Sequence, residues 1–255
     1  MNLLFIGDVV GQSGCDFLES RMYKLKREYD IDVTVVNGEN SAQGNGITPQ
    51  SYRQLLNMGA DVVTTGNHSF RRREAEELYD TNEQLLRPAN YPEGVMGHGV
   101  TYIDMCPYKI AVVNLMGTMY MEAVENPFNY VDKLLESIDT PNIIVDFHAE
   151  ATSEKKAMGF YLQKRCTAVL GTHTHVQTAD ETILDGHTAY ITDVGMTGPE
   201  LSVLGVDSDI VINKFKYRTP VRFSESTNDC FINGVVVKFD EKSGKATNIQ
   251  RVIKR

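Results

Sequence analysis

The sequence predicts an α/β fold in which buried strands alternate with helices. Two observations support this prediction. Short apolar runs rich in β-branched residues recur along the chain, and segments with apolar residues every three or four positions lie between the first of them. Several of these runs also end in ligand-type polar residues, which is typical of the carboxyl edge of an open α/β sheet. No Pro-, Gly- or Ser-rich linker divides the 255 residues, so we expect a single domain over residues 1–255.

The first 65 residues carry a β-α-β-α-β pattern. Predicted strands cover residues 3–6, 32–37 and 61–65. The first intervening helix is indicated by Leu18, Met22 and Leu25, whose spacing of four and three residues places them on one face. The second is predicted to begin with Thr48 as N-cap and Pro49 at the first helical position. This alternation is the signature of a right-handed parallel unit.

The rest of the chain continues with shorter predicted elements. Further strands are expected over residues 109–115, 142–147 and 188–192, and helices over residues 71–80, 130–138 and 153–165. Residues 85–99 hold two prolines and three glycines and are expected to form a long loop or cap. Residues 221–223, 230–239 and 247–253 are predicted to form antiparallel hairpins.

Composition and charge narrow the classes of function. A net charge of -9 disfavours electrostatic binding to duplex nucleic acid, which needs a basic face, so no wide nucleic-acid-binding surface is expected. No apolar run approaches the roughly 18 residues of a membrane span, and the first residues lack the basic region of a signal peptide. We therefore expect no membrane partner.

The four cysteines are widely spaced without a C-x-x-C pair, which favours free thiols in a cytoplasmic protein.

Two histidines, His173 and His175, follow an apolar run at residues 168–170. Side chains two positions apart at a strand end can reach different points of one cleft. Other apolar runs end in ligand-type residues as well. These residues are Asp8, Glu39, Asn40, Asn67, His68 and His148. Because ligands bind outside the carboxyl ends of strands in open α/β sheets, all of these side chains are expected to converge there.

The mixture of carboxylate, carboxamide and imidazole groups suits manganese, iron or zinc. The potential metal ligands are Asp8, Glu39, Asn40, Asn67, His148, His173 and His175. They are too many for one four-coordinate ion and suit two ions that share a bridge. Glu39 is the best-placed bridge, because the two oxygens of a carboxylate can bind separate cations. His68 is then left for proton transfer.

The charge of such a site predicts a phosphate ester as substrate. Two divalent ions, less the charges of Asp8, Glu39 and a bridging hydroxide, leave a formal charge of about +1 to attract a phosphodiester monoanion. The expected reaction is in-line attack of the metal-bound hydroxide on phosphorus, with His68 protonating the leaving oxygen.

Other interpretations compete with this one. A single histidine after a strand is more often a structural residue, so the prediction depends on the joint placement of the motifs. The run of residues 71–73, three arginines, is more typical of a solvated face, although its closeness to the proposed site leaves substrate contact open. A regulatory protein that binds a nucleotide or a partner, with slow or vestigial hydrolysis, is the alternative function. A Rossmann-type dinucleotide binder is disfavoured, because Gly7, Gly11 and Gly14 do not follow the G-x-G-x-x-G spacing.

In order and spacing, four motifs resemble those of the calcineurin-like dimetal phosphoesterases. They are Gly7-Asp8, Gly66-Asn67-His68, His148 and Gly171-Thr172-His173-Thr174-His175. Two features depart from that superfamily. Val10 replaces the histidine of the usual Asp-x-His motif, and Gly38-Glu39-Asn40 replaces Gly-Asp-x-x-Asp. Both departures are features of the YmdB-type bacterial metallophosphoesterases, which residues 146–155 and 192–199 also resemble. The resemblance to this family covers nearly the whole chain.

The resemblance implies a four-layer α/β/β/α sandwich with mixed sheets. It implies a phosphodiesterase for cyclic nucleotides, with 2′,3′-cyclic nucleotides favoured and 3′,5′-cAMP as a further candidate. It also implies two metal ions, iron or manganese with zinc as the alternative, and a homo-oligomer, either a dimer or a tetramer. Asp8, Glu39, Asn40 and His175 would hold one ion, and Glu39, Asn67, His148 and His173 the other. Asn40 would replace the histidine that is absent at Val10.

Overall fold

The computed structural model describes residues 1–255, which form fourteen strands and six α-helices. The strands are β1 (Asn2–Ile6), β2 (Asp8–Val9), β3 (Val33–Asn37), β4 (Val62–Thr64), β5 (Leu85–Leu86), β6 (Val100–Asp104), β7 (Lys109–Met116), β8 (Ile143–His148), β9 (Ala168–Thr172), β10 (Thr182–Leu184), β11 (Thr188–Ile191), β12 (Met196–Pro199), β13 (Cys230–Phe239) and β14 (Ala246–Lys254). The helices are α1 (Gly11–Glu28), α2 (Pro49–Asn57), α3 (Glu76–Thr81), α4 (Pro127–Leu135), α5 (Thr152–Leu162) and α6 (Ser208–Tyr217), with a 3-10 turn at Arg73–Ala75.

The strands form two sheets of mixed direction. The eight-stranded sheet has the order β2-β12-β13-β1-β3-β4-β5, with β14 paired to β13, and the six-stranded sheet has the order β10-β11-β9-β8-β7-β6. Strands β1, β3 and β4 run parallel, which confirms the β-α-β-α-β pattern of the first residues. Strands β7, β8, β9 and β11 form a second parallel set between the antiparallel edge strands β6 and β10.

The two sheets pack face to face around a shared apolar core. Phe5 and Val35 of the first sheet belong to the same buried cluster as Val112, Ile144 and Leu170 of the second. Helices α1, α2 and α3 cover the outer face of the first sheet, while α4 and α5 cover that of the second. The molecule is therefore a four-layer α/β/β/α sandwich, as the resemblance implied.

Local sequence signals explain some element boundaries and fail for others. Helix α2 begins at Pro49 after Thr48, whose hydroxyl accepts a hydrogen bond from the Ser51 N–H at 3.1 Å, as predicted for an N-cap. Residues 85–99 do not form only a loop, because β5 pairs in parallel with β4. The prediction of a strand at residues 221–223 is wrong. That segment is exposed and unpaired, and it follows Pro220, which has no N–H to donate to a sheet.

The four cysteines are free thiols, as the sequence predicted. Cys15 packs in the cluster between α1 and the first sheet, and Cys166 in the cluster of the second sheet. Burial raises the pKa of each of these two thiols to about 12, so neither is a thiolate at neutral pH.

No helix combines the length and the apolar character that a membrane span requires.

Replacing Leu170 with alanine tests the core between the sheets. Leu170 is fully buried, so Leu170→Ala should lower the free energy of unfolding by about 2–5 kcal/mol through lost apolar burial and a residual cavity. Leu201→Ala is the matched control, because Leu201 is 76% exposed and should change stability by no more than about 0.5 kcal/mol. Denaturant unfolding of both variants measures the difference. Equal small losses would contradict the placement of Leu170.

Candidate functional site

Every residue that the sequence analysis proposed for the site lies in one cluster at the carboxyl ends of the strands. The cluster contains Asp8, Glu39, Asn40, Asn67, His68, His148, His173 and His175. These side chains follow or end β1, β3, β4, β8 and β9, so both sheets contribute. The parallel direction of the central strands in each sheet brings their carboxyl ends to the same edge.

One half of the cluster surrounds the Nε2 atom of His148. This atom lies 3.3 Å from Glu39 Oε1, 3.0 Å from Asn67 Oδ1 and 3.1 Å from His173 Nδ1. Atoms that bind one metal at about 2.0–2.2 Å lie about 3.0–3.5 Å from one another in common coordination geometries. The four side chains are therefore spaced as ligands of one cation.

The other half of the cluster surrounds the carboxamide of Asn40. Its Nδ2 atom lies 3.1 Å from Glu39 Oε1, 3.4 Å from Asp8 Oδ1 and 3.2 Å from His175 Nε2. Each of these atoms can offer a lone pair. A half rotation of the carboxamide would place Oδ1 among them as a fourth oxygen or nitrogen ligand. The Glu39 Oε1 atom contacts both halves, whereas Oε2 accepts a hydrogen bond from the His68 N–H at 3.2 Å, so the Glu39 carboxylate would be shared if both halves held a metal.

Polar contacts outside the cluster orient two of its imidazoles. The Thr172 hydroxyl donates to Asp146 Oδ1 at 2.7 Å, and the Thr172 Oγ1 atom lies 2.9 Å from His148 Nδ1. Since the hydroxyl proton is directed to Asp146, His148 Nδ1 is the donor, and its Nε2 faces the cluster, where it donates to His173 Nδ1 when protonated and offers a lone pair once that proton is lost. The Nε2 of His173 similarly lies 3.1 Å from Glu150 Oε2, so its Nδ1 faces the cluster as an acceptor.

The carboxylates make the cluster strongly negative. Although burial alone lowers the pKa of His148, the charges of Glu39, Asp8 and Asp146 raise it to about 9. Burial acts to raise the pKa of Glu39, yet His148 and His68 hold it well below its usual range. Buried carboxylates in their charged form need a positive partner. The protonated His148 ring supplies part of that charge, and a metal ion held by these residues would supply it in place of the proton.

The donor set fits the metal ions that the resemblance implies. Glu39, His148 and His173 each offer a ligand atom, and these atoms lie within 4.8 Å of one another. The Nε2 atom of His175 faces the second group of ligands, 3.5 Å from Asp8 Oδ1. Carboxylates, carboxamides and imidazoles in this combination suit manganese, iron and zinc.

The loop after β9 holds both of its histidines in an unusual backbone conformation. The φ angles are 99° at His173 and 65° at His175, a region that residues other than glycine rarely adopt. Two hydrogen bonds fix the loop. The His173 N–H donates to Asp8 Oδ2 at 3.2 Å, and the Thr174 N–H donates to Asp193 Oδ2 at 3.0 Å. Strained backbone held by its surroundings is common at functional sites.

A buried ion pair that the sequence analysis missed supports this loop. The Lys155 Nζ atom lies 2.5 Å from Asp193 Oδ2 and donates to the Thr172 carbonyl at 2.6 Å. Both charged side chains are at most 1% exposed. Asp193 directly follows a predicted strand, and this position could have indicated a residue near the site. Lys155 gave no such signal, because a lysine in a predicted helix is normally exposed unless it is paired. Lys155 and Asp193 therefore act on the site by positioning the histidine loop.

Two glycines of the motifs permit close packing at the site. A Cβ atom on Gly66 would lie 2.2 Å from the His148 ring, so the backbone before Asn67 can pass over that ring only without a side chain. A Cβ atom on Gly171 would lie 1.8 Å from the Thr192 carbonyl oxygen. Both positions need glycine for space, because their φ angles are not in the left-handed region.

A cleft of about 720 Å³ opens beside the Asn40 half of the cluster. Asn40 and His175 form part of its wall. Residues 42–45, 71–72, 204–206 and 222–225 form the rest, together with Val10 and Gly11. Its volume lies in the range of clefts that bind small organic ligands, about 300–1,000 Å³. A substrate can reach the candidate metal ligands through it.

Known proteins are similar to this chain along nearly its whole length. A family model described as YmdB-like protein matches residues 4–252. The 2′,3′-cyclic-nucleotide 2′-phosphodiesterase of Bacillus subtilis (strain 168) is 46% identical over 255 residues, which cover 99% of this chain and 97% of that protein. A hypothetical protein from Thermus thermophilus has a crystal structure that matches with a TM-score of 0.94 at 36% identity, covering 99% of this chain and 98% of that one. The crystal structure of a novel phosphatase from Mycoplasma pneumoniae matches with a TM-score of 0.95 at 32% identity, covering 99% and 92%.

Replacing Lys155 with methionine tests the positioning pair. Lys155→Met leaves the Asp193 carboxylate buried without a counter-charge, so it should lower the free energy of unfolding by about 3–5 kcal/mol. Lys156→Met is the matched control, because Lys156 is 50% exposed and its pair with Asp180 should contribute no more than about 1 kcal/mol. Denaturant unfolding measures both losses. A loss at Lys155 no larger than that at Lys156 would contradict the role of the buried pair.

Proposed function

This chain belongs to the YmdB-like protein family, and we propose that it is a two-metal phosphodiesterase that hydrolyses cyclic nucleotides, 2′,3′-cyclic nucleotides above all. One observation carries the proposal: two groups of ligand-type side chains share the buried carboxylate of Glu39. The activity named for the Bacillus subtilis relative supports the same substrate class, since the two chains are 46% identical over nearly their full lengths.

The residues of the cluster divide between the two proposed ions as the resemblance implies. Asp8, Glu39, Asn40 and His175 would hold one ion, and Glu39, Asn67, His148 and His173 the other. When bound, the ions supply positive charge that attracts the phosphate and makes water a better nucleophile. The chain's own part is to hold the seven ligands in place, through the Thr172 hydrogen bond, the ionic contact between His173 and Glu150 and the buried Lys155 pair.

His68 is the side chain of the cluster that is left for proton transfer. Its Nδ1 atom lies 2.9 Å from Asn40 Oδ1 and 3.2 Å from Glu39 Oε1. The side chain is 25% exposed, whereas that of Glu39 is 1% exposed. Since Nδ1 donates to these two oxygens, Nε2 is the ring nitrogen left to pass a proton to the leaving ribose oxygen, a step that uses the doubly protonated ring.

Several finer properties remain predictions that follow from the sequence. These are the use of iron or manganese in preference to zinc, hydrolysis of 3′,5′-cAMP, assembly into a homo-oligomer, a cytoplasmic location and a single domain over residues 1–255. The geometry of the site suits each of the three metals, because the donor set contains both oxygen and nitrogen atoms.

The role of His68 can be tested together with the substrate class. The manganese-loaded protein should hydrolyse 2′,3′-cyclic AMP, and His68→Ala should lower kcat by about 10²- to 10⁴-fold while retaining its metal. Steady-state kinetics and metal analysis of the same samples measure both properties. His98→Ala is the control, because His98 is exposed and lies outside the cluster. Full activity of His68→Ala would refute the proton-transfer role, and absence of hydrolysis of any cyclic nucleotide by the unaltered protein would favour a regulatory binding protein.

The separate assignment of the two loop histidines gives a second test. His173→Ala should preferentially lose the ion shared with Asn67 and His148, and His175→Ala the ion shared with Asp8. Each variant should keep about one ion per chain, because the other set of ligands stays complete. Elemental analysis of protein purified without chelator gives the counts, with His187→Ala as a control outside the cluster. Loss of both ions in each variant, or of neither, would refute the separate assignment.

A further inference from the structure

The cleft beside the metal ligands carries positive charge that the proposed metal site does not use. Arg71, Arg72 and Arg222 all line it. The guanidinium of Arg72 is occupied, since it donates to the backbone carbonyls of Gln43 and Asn45. The side chains of Arg71 and Arg222 are exposed and form no ion pair or hydrogen bond within the protein. In a chain with a net charge of -9, two unpaired arginines in one cleft indicate an anionic ligand.

Both arginines lie on segments whose positions are fixed by hydrogen bonds. The Arg71 N–H donates to the His68 carbonyl at 3.0 Å, so Arg71 lies one turn beyond the proposed proton donor. Arg222 lies on a different segment of the lining, which is anchored through Glu225. The Glu225 carboxylate accepts hydrogen bonds from the Ser13 N–H at 3.2 Å and from the Ser13 hydroxyl. The cleft therefore carries two arginines whose backbone segments are fixed and whose side chains are free to contact a ligand.

An aromatic side chain adjoins the second arginine. Phe223 lines the cleft and is 46% exposed, although a large apolar side chain is more often buried. The Lys214 Nζ atom lies 4.4 Å from the centre of its ring. Exposed aromatic rings next to arginines are the usual elements by which proteins bind single-stranded nucleotides, through base stacking and phosphate contact.

Resting on the proposed function, we propose that the cleft binds a second phosphate, carried on the 5′ oxygen of the nucleotide whose 2′,3′-cyclic phosphate reaches the metal ligands. Arg71 and Arg222 bind this phosphate, because the fork of a guanidinium matches two phosphate oxygens. Phe223 stacks on the preceding base when one is present. The preferred substrate is then the 3′-terminal nucleotide of a short single-stranded RNA fragment that ends in a cyclic phosphate. A simple nucleoside 2′,3′-cyclic phosphate lacks the 5′ group.

Three substrates separate the effect of the second phosphate from that of the second base. They are adenosine 2′,3′-cyclic phosphate, the same compound with a 5′-phosphate, and the dinucleotide ApA ending in a 2′,3′-cyclic phosphate. For the manganese-loaded protein, kcat/KM should rise by about tenfold or more from the first substrate to each of the others, mainly through a lower KM. Raising the salt concentration should reduce this gain, because the contact is between exposed charges.

Arginine variants identify the source of the gain. Arg71→Gln and Arg222→Gln should each lose most of the increase in kcat/KM that the second phosphate gives. The double variant should lose all of this increase. Arg73→Gln is the matched control, because Arg73 is exposed in the same run of arginines but does not line the cleft. The control should keep the full gain.

Three results would overturn the inference. They are equal kcat/KM for all three substrates, a gain that survives in the double variant, and a gain confined to the dinucleotide, which would assign it to the second base and not to the phosphate. Failure of the proposed function is distinguishable, because none of the three substrates would then be hydrolysed. A protein that hydrolyses adenosine 2′,3′-cyclic phosphate as well as the others retains the proposed function without the inferred preference.

Discussion

The buried carboxylate of Glu39 is the constraint on which the rest of the site depends. Its side chain is 1% exposed and lies within hydrogen-bond distance of the His148 and His68 rings. An ionised carboxylate in a buried position is costly unless positive charge compensates it. Glu39 follows β3 of one sheet, whereas His148 ends β8 of the other, so compensation requires both sheets to be in place. Metal binding is therefore expected to stabilise the packing of the two sheets as well as to create the reactive centre.

A buried polar network joins the sheets directly beneath the cluster. Asp146 accepts hydrogen bonds from Thr64 at 2.5 Å and Asn37 at 3.0 Å in the first sheet, and from Thr172 at 2.7 Å in the second. Thr172 in turn orients His148. The position of the candidate metal ligands is thus set by residues that lie outside the cluster, as is usual for metal sites in proteins.

The sequence predicted which side chains converge in the candidate site, but it did not predict the order of the strands. Strand ends such as those at Asp8 and His148 are local signals, because an apolar run followed by a ligand-type residue is visible in a few positions. The pairing of β13 between β1 and β12 joins β1 to residues near the other end of the chain, and no local period encodes it. Lys155 was missed because its charge indicates exposure, and only its pairing with Asp193 allows its burial. At residues 221–223 the apolar side chains indicated a strand, but they lie in an exposed segment beside the cleft.

The proposed bridging of two metal ions by Glu39 underlies both the charge balance of the site and its chemistry. Anomalous diffraction from crystals of the protein soaked with manganese tests it most directly, because each bound ion gives a separate peak whose ligands can be identified. We expect two peaks, one on each side of the Glu39 carboxylate, with His148 and His173 at one and Asp8 and His175 at the other. A single peak, or two peaks of which only one contacts Glu39, would contradict the bridging role.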